Sequence, residues 1–239
     1  MWLAMDTATD RASVALGRLG SSPLEEEITG ARRHAAALLP TIQALLARAG
    51  ISLDQLQGVV LSDGPGSFTG LRVGAAVAKA LVHTRNLPLW VAPSLLTRAW
   101  SAPSDAGGVI LSVANALRGE IYAAAYRFSS DGIETVLSPS VHRPSELVAS
   151  GLQPSLAIGD APPEILVTLE SWTGRPVIHG ADGAPSAARL LQLVGRAGGA
   201  REVENPRDWE PVYGRPAEAQ ARWESAHGRP LPDSVGSSR

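Results

Sequence analysis

The chain of 239 residues has no cysteine, which excludes disulfides, thiol nucleophiles, iron–sulfur clusters and every zinc site that needs a thiolate. It has a single lysine, Lys79, and that lysine interrupts its most apolar stretch, residues 73–82. The stretch is far short of the roughly 20 residues that cross a bilayer, so no membrane partner is expected. Basic and acidic residues nearly balance, 21 against 23. No sequence-wide excess of cations is therefore present to hold nucleic-acid phosphates by counterion release. The histidines are His34, His83, His142, His179 and His227, and no two stand three or four residues apart, the spacing that puts two ligands on one helix face. No metal site is expected. Met1-Trp2-Leu3-Ala4-Met5-Asp6 has no basic segment and reaches an aspartate early, so a signal peptide is not expected and the chain reads as soluble and cytoplasmic.

What is present is enough to build a core: 44% of residues are hydrophobic and 18% charged, and the length fits one large domain or two packed halves. Strand-like segments at 3–8, 12–16 and 24–28 precede an amphipathic helix over 35–49, whose apolar residues recur at helical spacing around Pro40. Proline removes a hydrogen bond there, so this helix either kinks or becomes regular only near Pro40. A buried strand at 57–61, a turn-rich loop, a helix over 71–84, a strand at 89–91 and a short helix capped by Ser94 follow. Residues 102–108 form the linker. Beyond it, strands at 109–113, 120–128 and 133–137, a helix at 144–149, a strand at 156–158 and helices at 162–169 and 187–197 repeat the order of the first half. This topological repeat predicts a duplicated α/β unit. Residues 1–102 and 107–208 are its two subdomains, 209–227 a terminal segment with a short helix at 217–226, and 228–239 a disordered tail.

Two motifs could carry chemistry. Gly64-Pro65-Gly66-Ser67-Phe68-Thr69-Gly70-Leu71-Arg72-Val73-Gly74 joins a strand to a helix. Glycines there let backbone approach a ligand, and the N–H groups of a helix start attract anions. No Gly-Lys pair makes it a Walker loop, Thr69 breaks the dinucleotide fingerprint, and Ser67 lacks the flanking glycines of a nucleophile elbow. Its plain reading is a tight turn capping a closely packed helix. Asp6, followed by Thr7 and Thr9, stands at a strand end leading into a hairpin, where actin-like and sugar-kinase-like folds hold a phosphate and a magnesium-bound water. Ala8 replaces the glycine usual at that turn, and Asn115 falls at the matching place in the second half, where an amide is a weak ligand for a hard cation. Asp6, Thr7, Thr9, Gly64, Gly66 and Ser67 are thus candidates for a residual nucleotide site at most. The small outer face of the second helix, with Arg72, Ala75, Ala76 and Lys79, suits close packing against another subunit.

Leu3 to Thr9, Arg33-His34 with Leu38-Leu39-Pro40, Gly64 to Gly74, Arg118-Gly119-Glu120-Ile121-Tyr122 and Glu210-Pro211-Val212-Tyr213 occur in an order and spacing that resembles the bacterial TsaB (YeaZ) family. That resemblance implies an actin/Hsp70/sugar-kinase-like (ASKHA) α/β fold of two RNase H-like subdomains. It also implies a noncatalytic partner of its paralogue TsaD, the subunit that places threonylcarbamoyl on N6 of adenosine 37 in tRNAs reading ANN codons. The ATPase TsaE would join that complex, ATP and magnesium would be used by the complex with no cofactor held by this chain, and tRNA would be reached through the complex. Carried onto this sequence, the TsaD interface falls on His34, Leu38, Leu39, Ile42, Leu45, Leu46, Leu71, Arg72, Ala75, Ala76 and Lys79. A charge at Leu45 or Ala76 is then expected to block the partner and spare the fold. The family's usual Asp-Ala-Arg reads Asn115-Ala116-Leu117 here, and Gly214-Arg215 stands where Leu-Arg usually follows the tyrosine. The alternatives are an actin-like ATPase or kinase with a weak nucleotide site, and a self-associating homodimer. A metallopeptidase is disfavoured by the missing paired histidines.

Overall fold

The computed structural model describes residues 1–30, 34–103, 105–215 and 227. The apolar runs of β1 (Trp2–Asp6) and β2 (Arg11–Gly17) and the more polar β3 (Leu24–Thr29) pair as an antiparallel meander. After α1 (His34–Arg48) the chain returns as β4 (Gly58–Ser62), parallel to β1. After α2 (Phe68–Arg85) it returns again as β5 (Leu89–Ala92), parallel to β4, and ends the first half in α3 (Ser94–Ala99). The second half repeats this plan. In it β6 (Val109–Asn115), β7 (Ile121–Phe128) and β8 (Ile133–His142) form the meander, α4 (Pro144–Ala149) leads to β9 (Pro154–Asp160), parallel to β6, and α5 (Pro163–Thr173) and α6 (Ala187–Leu193) follow. A parallel bridge from Ile178 to Ile158 stands where the fifth strand would lie. A two-residue β10 (Arg201–Glu202) then adds to the free edge of β5 in the first sheet.

The sheet orders are β10-β5-β4-β1-β2-β3 and β8-β7-β6-β9, so both halves share the 3-2-1-4 arrangement of an RNase H-like sheet. Two such sheets in one chain make the actin/Hsp70/sugar-kinase-like fold. Period-2 alternation sorts their side chains into layers. Leu3, Met5, Val59 and Leu61 face α1 and α2, whereas Ala4, Ala15, Val60 and Ala92 face a middle core that includes Tyr122, Ala124 and Ile158 of the second sheet. A third core lies beneath α4 and α5.

The third helices cross over. All six residues of α3 are buried, and the helix packs on β6, β7 and β9 of the second sheet. Conversely, α6 packs on β1, β2 and β4. Its first turn is anchored in the first half: Ser13 Oγ accepts from the Ala187 N–H at 2.8 Å and Glu25 accepts from the Ala188 N–H at 3.0 Å. An anion at a helix start opposes the dipole and fills orphan donors.

Several elements end elsewhere than expected: β8, α5 and β9 are longer, running to His142, to Thr173 and over Pro154–Asp160. Ser67 Oγ accepts from the Gly70 N–H, so α2 begins at Phe68 instead of Leu71. At the other end, α6 stops at Leu193, two residues before Gly195 takes a φ of +78°. Ser94 is no cap: its hydroxyl donates to the Pro65 carbonyl and the helix simply starts there. The helix α1 runs through Pro40, which lies on the exposed side, where the Ala36 carbonyl it deprives of a donor can meet water. The helix expected over 217–226 and the tail over 228–239 lie outside the described residues. Among the described residues no helix is long and apolar enough to cross a membrane.

Candidate functional site

Gly66, Gly70 and Gly74 recur every fourth residue and so form one stripe, laid directly on the β1–β2 hairpin. A Cβ on Gly66 would stand 2.2 Å from the Ala8 carbonyl oxygen, one on Gly70 2.0 Å from the Thr7 carbonyl oxygen, and one on Gly74 2.3 Å from Thr7 Oγ1. The Ser67 N–H donates to the Ala8 carbonyl at 2.7 Å. Of the six candidate nucleotide residues, Asp6 and Thr7 are therefore fully buried, Gly64 is buried in the turn, and Gly66 and Ser67 pack on Ala8. Thr9, half-buried, turns its hydroxyl back to the Arg11 carbonyl. The glycines bring the chain close to itself, which is the tight-turn reading of the motif.

Asp6 Oδ1 accepts from the Ala8 N–H at 3.0 Å, but Oδ2 has no partner among the described residues. Burial pushes the carboxyl up to about 6, against the opposing pull of the Ala8 N–H, Ser62 and Arg98. Asp63, next after β4, is likewise raised to about 6 by burial, although Arg201 Nη2 donates to it at 3.2 Å. A carboxyl whose folded pKa is raised favours folding most below its unfolded pKa near 3.8 and loses that advantage as pH rises through about 6. Asp6→Asn keeps the acceptor for Ala8 and cannot ionise. The variant is expected to gain up to about 3 kcal/mol over the parent at pH 7, and in urea titrations to show a smaller rise in stability than the parent on acidification from pH 6.5 to 4.5, the remainder belonging to Asp63.

In the second half Asn115 Oδ1 accepts from the Leu117 N–H at 2.8 Å, the same turn that Asp6 makes with Ala8. Leu117 and Arg118 follow in left-handed conformation, with Leu117 exposed. Among the described residues no cluster of three or more His, Asp or Glu side chains is arranged to hold a metal.

Residues 209–215 strap the two halves together. The Val212 N–H donates to the Asp63 carbonyl at 2.7 Å, and the Tyr213 ring lies 4.7 Å from that of Phe68, with Arg72 stacked 4.2 Å over Phe68. On the other side Tyr122 Oη donates to the Tyr213 carbonyl and Arg215 pairs with Glu120. Lys79 belongs to the same strap, since its ammonium pairs with Glu210 at 2.9 Å and donates to the Arg207 carbonyl. Expected at the partner interface, Lys79 is engaged within the chain.

The remaining interface candidates divide by helix face. Leu38, Ile42, Leu45, Leu46 and Ala75 belong to the outer core, Leu71 is buried against Gly64, and none of the six is more than 6% exposed. Expected at the interface, these six are core residues: the apolar stripe of α1 is the face turned to its own sheet, so Leu45→Glu attacks the fold. The opposite face is open. Ala35, Ala36, Leu39, Pro40, Gln43, Ala44 and Ala47 of α1 are exposed, Leu39 by 51%, beside exposed Arg72, Ala76 and Ala80 of α2. His34 starts α1 and its side chain lies outside the described set. Sequence reasoning missed Arg98, Asp63 and the Phe68–Arg72–Tyr213 stack; a lone arginine within the apolar run 95–100 was the available signal for the first.

The profile of the family TsaD: tRNA N6-adenosine threonylcarbamoyltransferase matches residues 27–168. The Escherichia coli tRNA threonylcarbamoyladenosine biosynthesis protein TsaB is 36% identical over 146 residues, 58% of this chain and 63% of that protein, so the match spans a little under two thirds of the relative. An uncharacterized Mycobacterium tuberculosis protein is 37% identical over 67% of this chain and 72% of its own length. The solved structure of YeaZ from Pseudomonas aeruginosa superposes with a TM-score of 0.69 at 29% identity, covering 89% of this chain and 98% of that one.

Proposed function

The chain belongs to the TsaB (YeaZ) family, within the wider TsaD family, and from that membership we propose that it is a noncatalytic partner of TsaD in tRNA threonylcarbamoyladenosine biosynthesis. In this reading TsaD transfers threonylcarbamoyl to N6 of adenosine 37 of ANN-reading tRNAs, TsaE joins the pair, ATP and magnesium are used by the complex, and the work is cytoplasmic. The observation that carries the reading is the outer side of α1, where seven exposed positions between 35 and 47 include no charge. Solvated helix faces are normally polar, whereas interface centres are depleted of charge. Small residues at Ala36, Ala44, Ala76 and Ala80 let a second helix pair approach closely.

The hairpin supports the noncatalytic part. Asp6 lies beneath a stripe of glycines that meets the Thr7 and Ala8 backbone, so a phosphate at that turn would have to displace the chain's own loop. The test is reconstitution of the modification with TsaD, TsaE, a threonylcarbamoyl donor system and an ANN-reading tRNA, measured by nucleoside mass spectrometry. Omitting this chain is expected to abolish product, and the Asp6→Asn variant to restore it within about twofold of the parent, a change below about 0.4 kcal/mol. Loss of product with folded Asp6→Asn would instead favour a working nucleotide site.

A further inference from the structure

Arg98 is a guanidinium with 2% side-chain exposure on α3, the helix that the first half sends onto the second sheet. Its Nη1 donates to the Val113 carbonyl of β6 at 2.5 Å and lies 3.5 Å from Asp160 Oδ2 at the end of β9. Asp160 is itself fixed, its Oδ1 accepting from the Gly180 N–H. From the first half the buried carboxylate of Asp6 adds its field, so the arginine has acidic groups of both halves around it. Gly159 makes room: with a φ of +135°, its missing Cβ would fall 1.9 Å from the Val113 oxygen and 2.5 Å from Arg98 Nη1.

We infer that Arg98 is an internal tether that holds the two halves in one fixed arrangement, so that they do not hinge on a ligand. A charge taken out of water persists only where paired and hydrogen-bonded, and breaking one partner away is costly. The start of α3 is held to the first half, where the Ser94 N–H donates to the Gly64 carbonyl and its hydroxyl to the Pro65 carbonyl, so parting the halves would pull the guanidinium from Val113 and Asp160. The anchoring of α6 on Ser13 and Glu25 is the reciprocal hold from the second half. The tether is independent of the partner reading and acts in the chain alone.

The absence of cysteine gives a direct test. Ser112 faces the middle layer, is wholly buried and has no hydrogen-bond partner among the described residues, so Ser112→Cys installs a nearly isosteric reporter thiol. Ala123, buried in the layer under α4 and α5, serves as the control site. In the full-length chain, alkylation of the Ser112→Cys thiol is expected to accelerate at least about tenfold when Arg98→Met is added, with the Ala123→Cys thiol unchanged. Asp160→Asn, at a half-exposed position, keeps the acceptor for Gly180 and is expected to give a smaller acceleration of the same pattern if Arg98→Met does not fold. Equal alkylation rates with and without the tether, or a parallel acceleration at both thiols, would overturn the inference.

Discussion

Leu39→Glu is expected to weaken binding to TsaD by roughly 100-fold or more, about 2.7 kcal/mol, because it places a desolvated charge at the centre of an uncharged helix face. Leu39 is half exposed and Ala76 lies on the neighbouring helix. Neither side chain supports the outer core, so both Leu39→Glu and Ala76→Arg are expected to unfold within a few degrees of the parent. Titration calorimetry against purified TsaD measures the loss, and thermal denaturation the intact fold. Leu45→Glu makes the contrast. That side chain is wholly buried between α1 and the first sheet, so its ionised replacement is expected to give insoluble or unfolded protein whatever the partner does. Normal affinity in both outer-face variants would move the interface elsewhere.

Gly70→Ala is expected to destabilise the chain by about 3 kcal/mol or more, on the order of 10 °C in Tm. In an ordinary helix the same change gains up to about 1 kcal/mol, through propensity. Here the new Cβ meets the Thr7 carbonyl oxygen at 2.0 Å, a backbone atom held in the β1–β2 hairpin. The hairpin would have to separate from α2, with loss of the Ser67-to-Ala8 hydrogen bond. Thr69→Ala, one residue earlier and exposed, is the control and is expected to change Tm little. A Gly70→Ala variant as stable as the parent would show that the glycine motif is not needed for packing and would reopen its reading as a ligand loop.

These effects show what could be read from residues and what could not. The duplicated sheet was legible because period-2 strands and the apolar stripe at Leu38, Ile42, Leu45 and Leu46 set the element order. The direction of that stripe was not. An apolar helix face looks the same whether it meets its own sheet or a foreign chain, and only burial places Leu45 inside and Leu39 outside. The glycine motif showed close approach but not its object, which proves to be the Thr7-Ala8 backbone. Lys79 read as part of an outer face for another subunit, because the strap that brings Glu210 and Arg207 to it lies more than a hundred residues away in sequence. The crossing of α3 and α6 was hidden for a similar reason, since a six-residue helix buried on every side has no polar face to say which sheet it serves.

The most direct test of the partner role is size-exclusion chromatography with light scattering on this chain co-expressed with the TsaD of the same genome. One peak whose mass includes both chains is expected, and its loss for Leu39→Glu. Separate elution of the two chains, with TsaE and ATP also present, would contradict the partner role; a peak containing only two copies of this chain would assign the uncharged face to self-association.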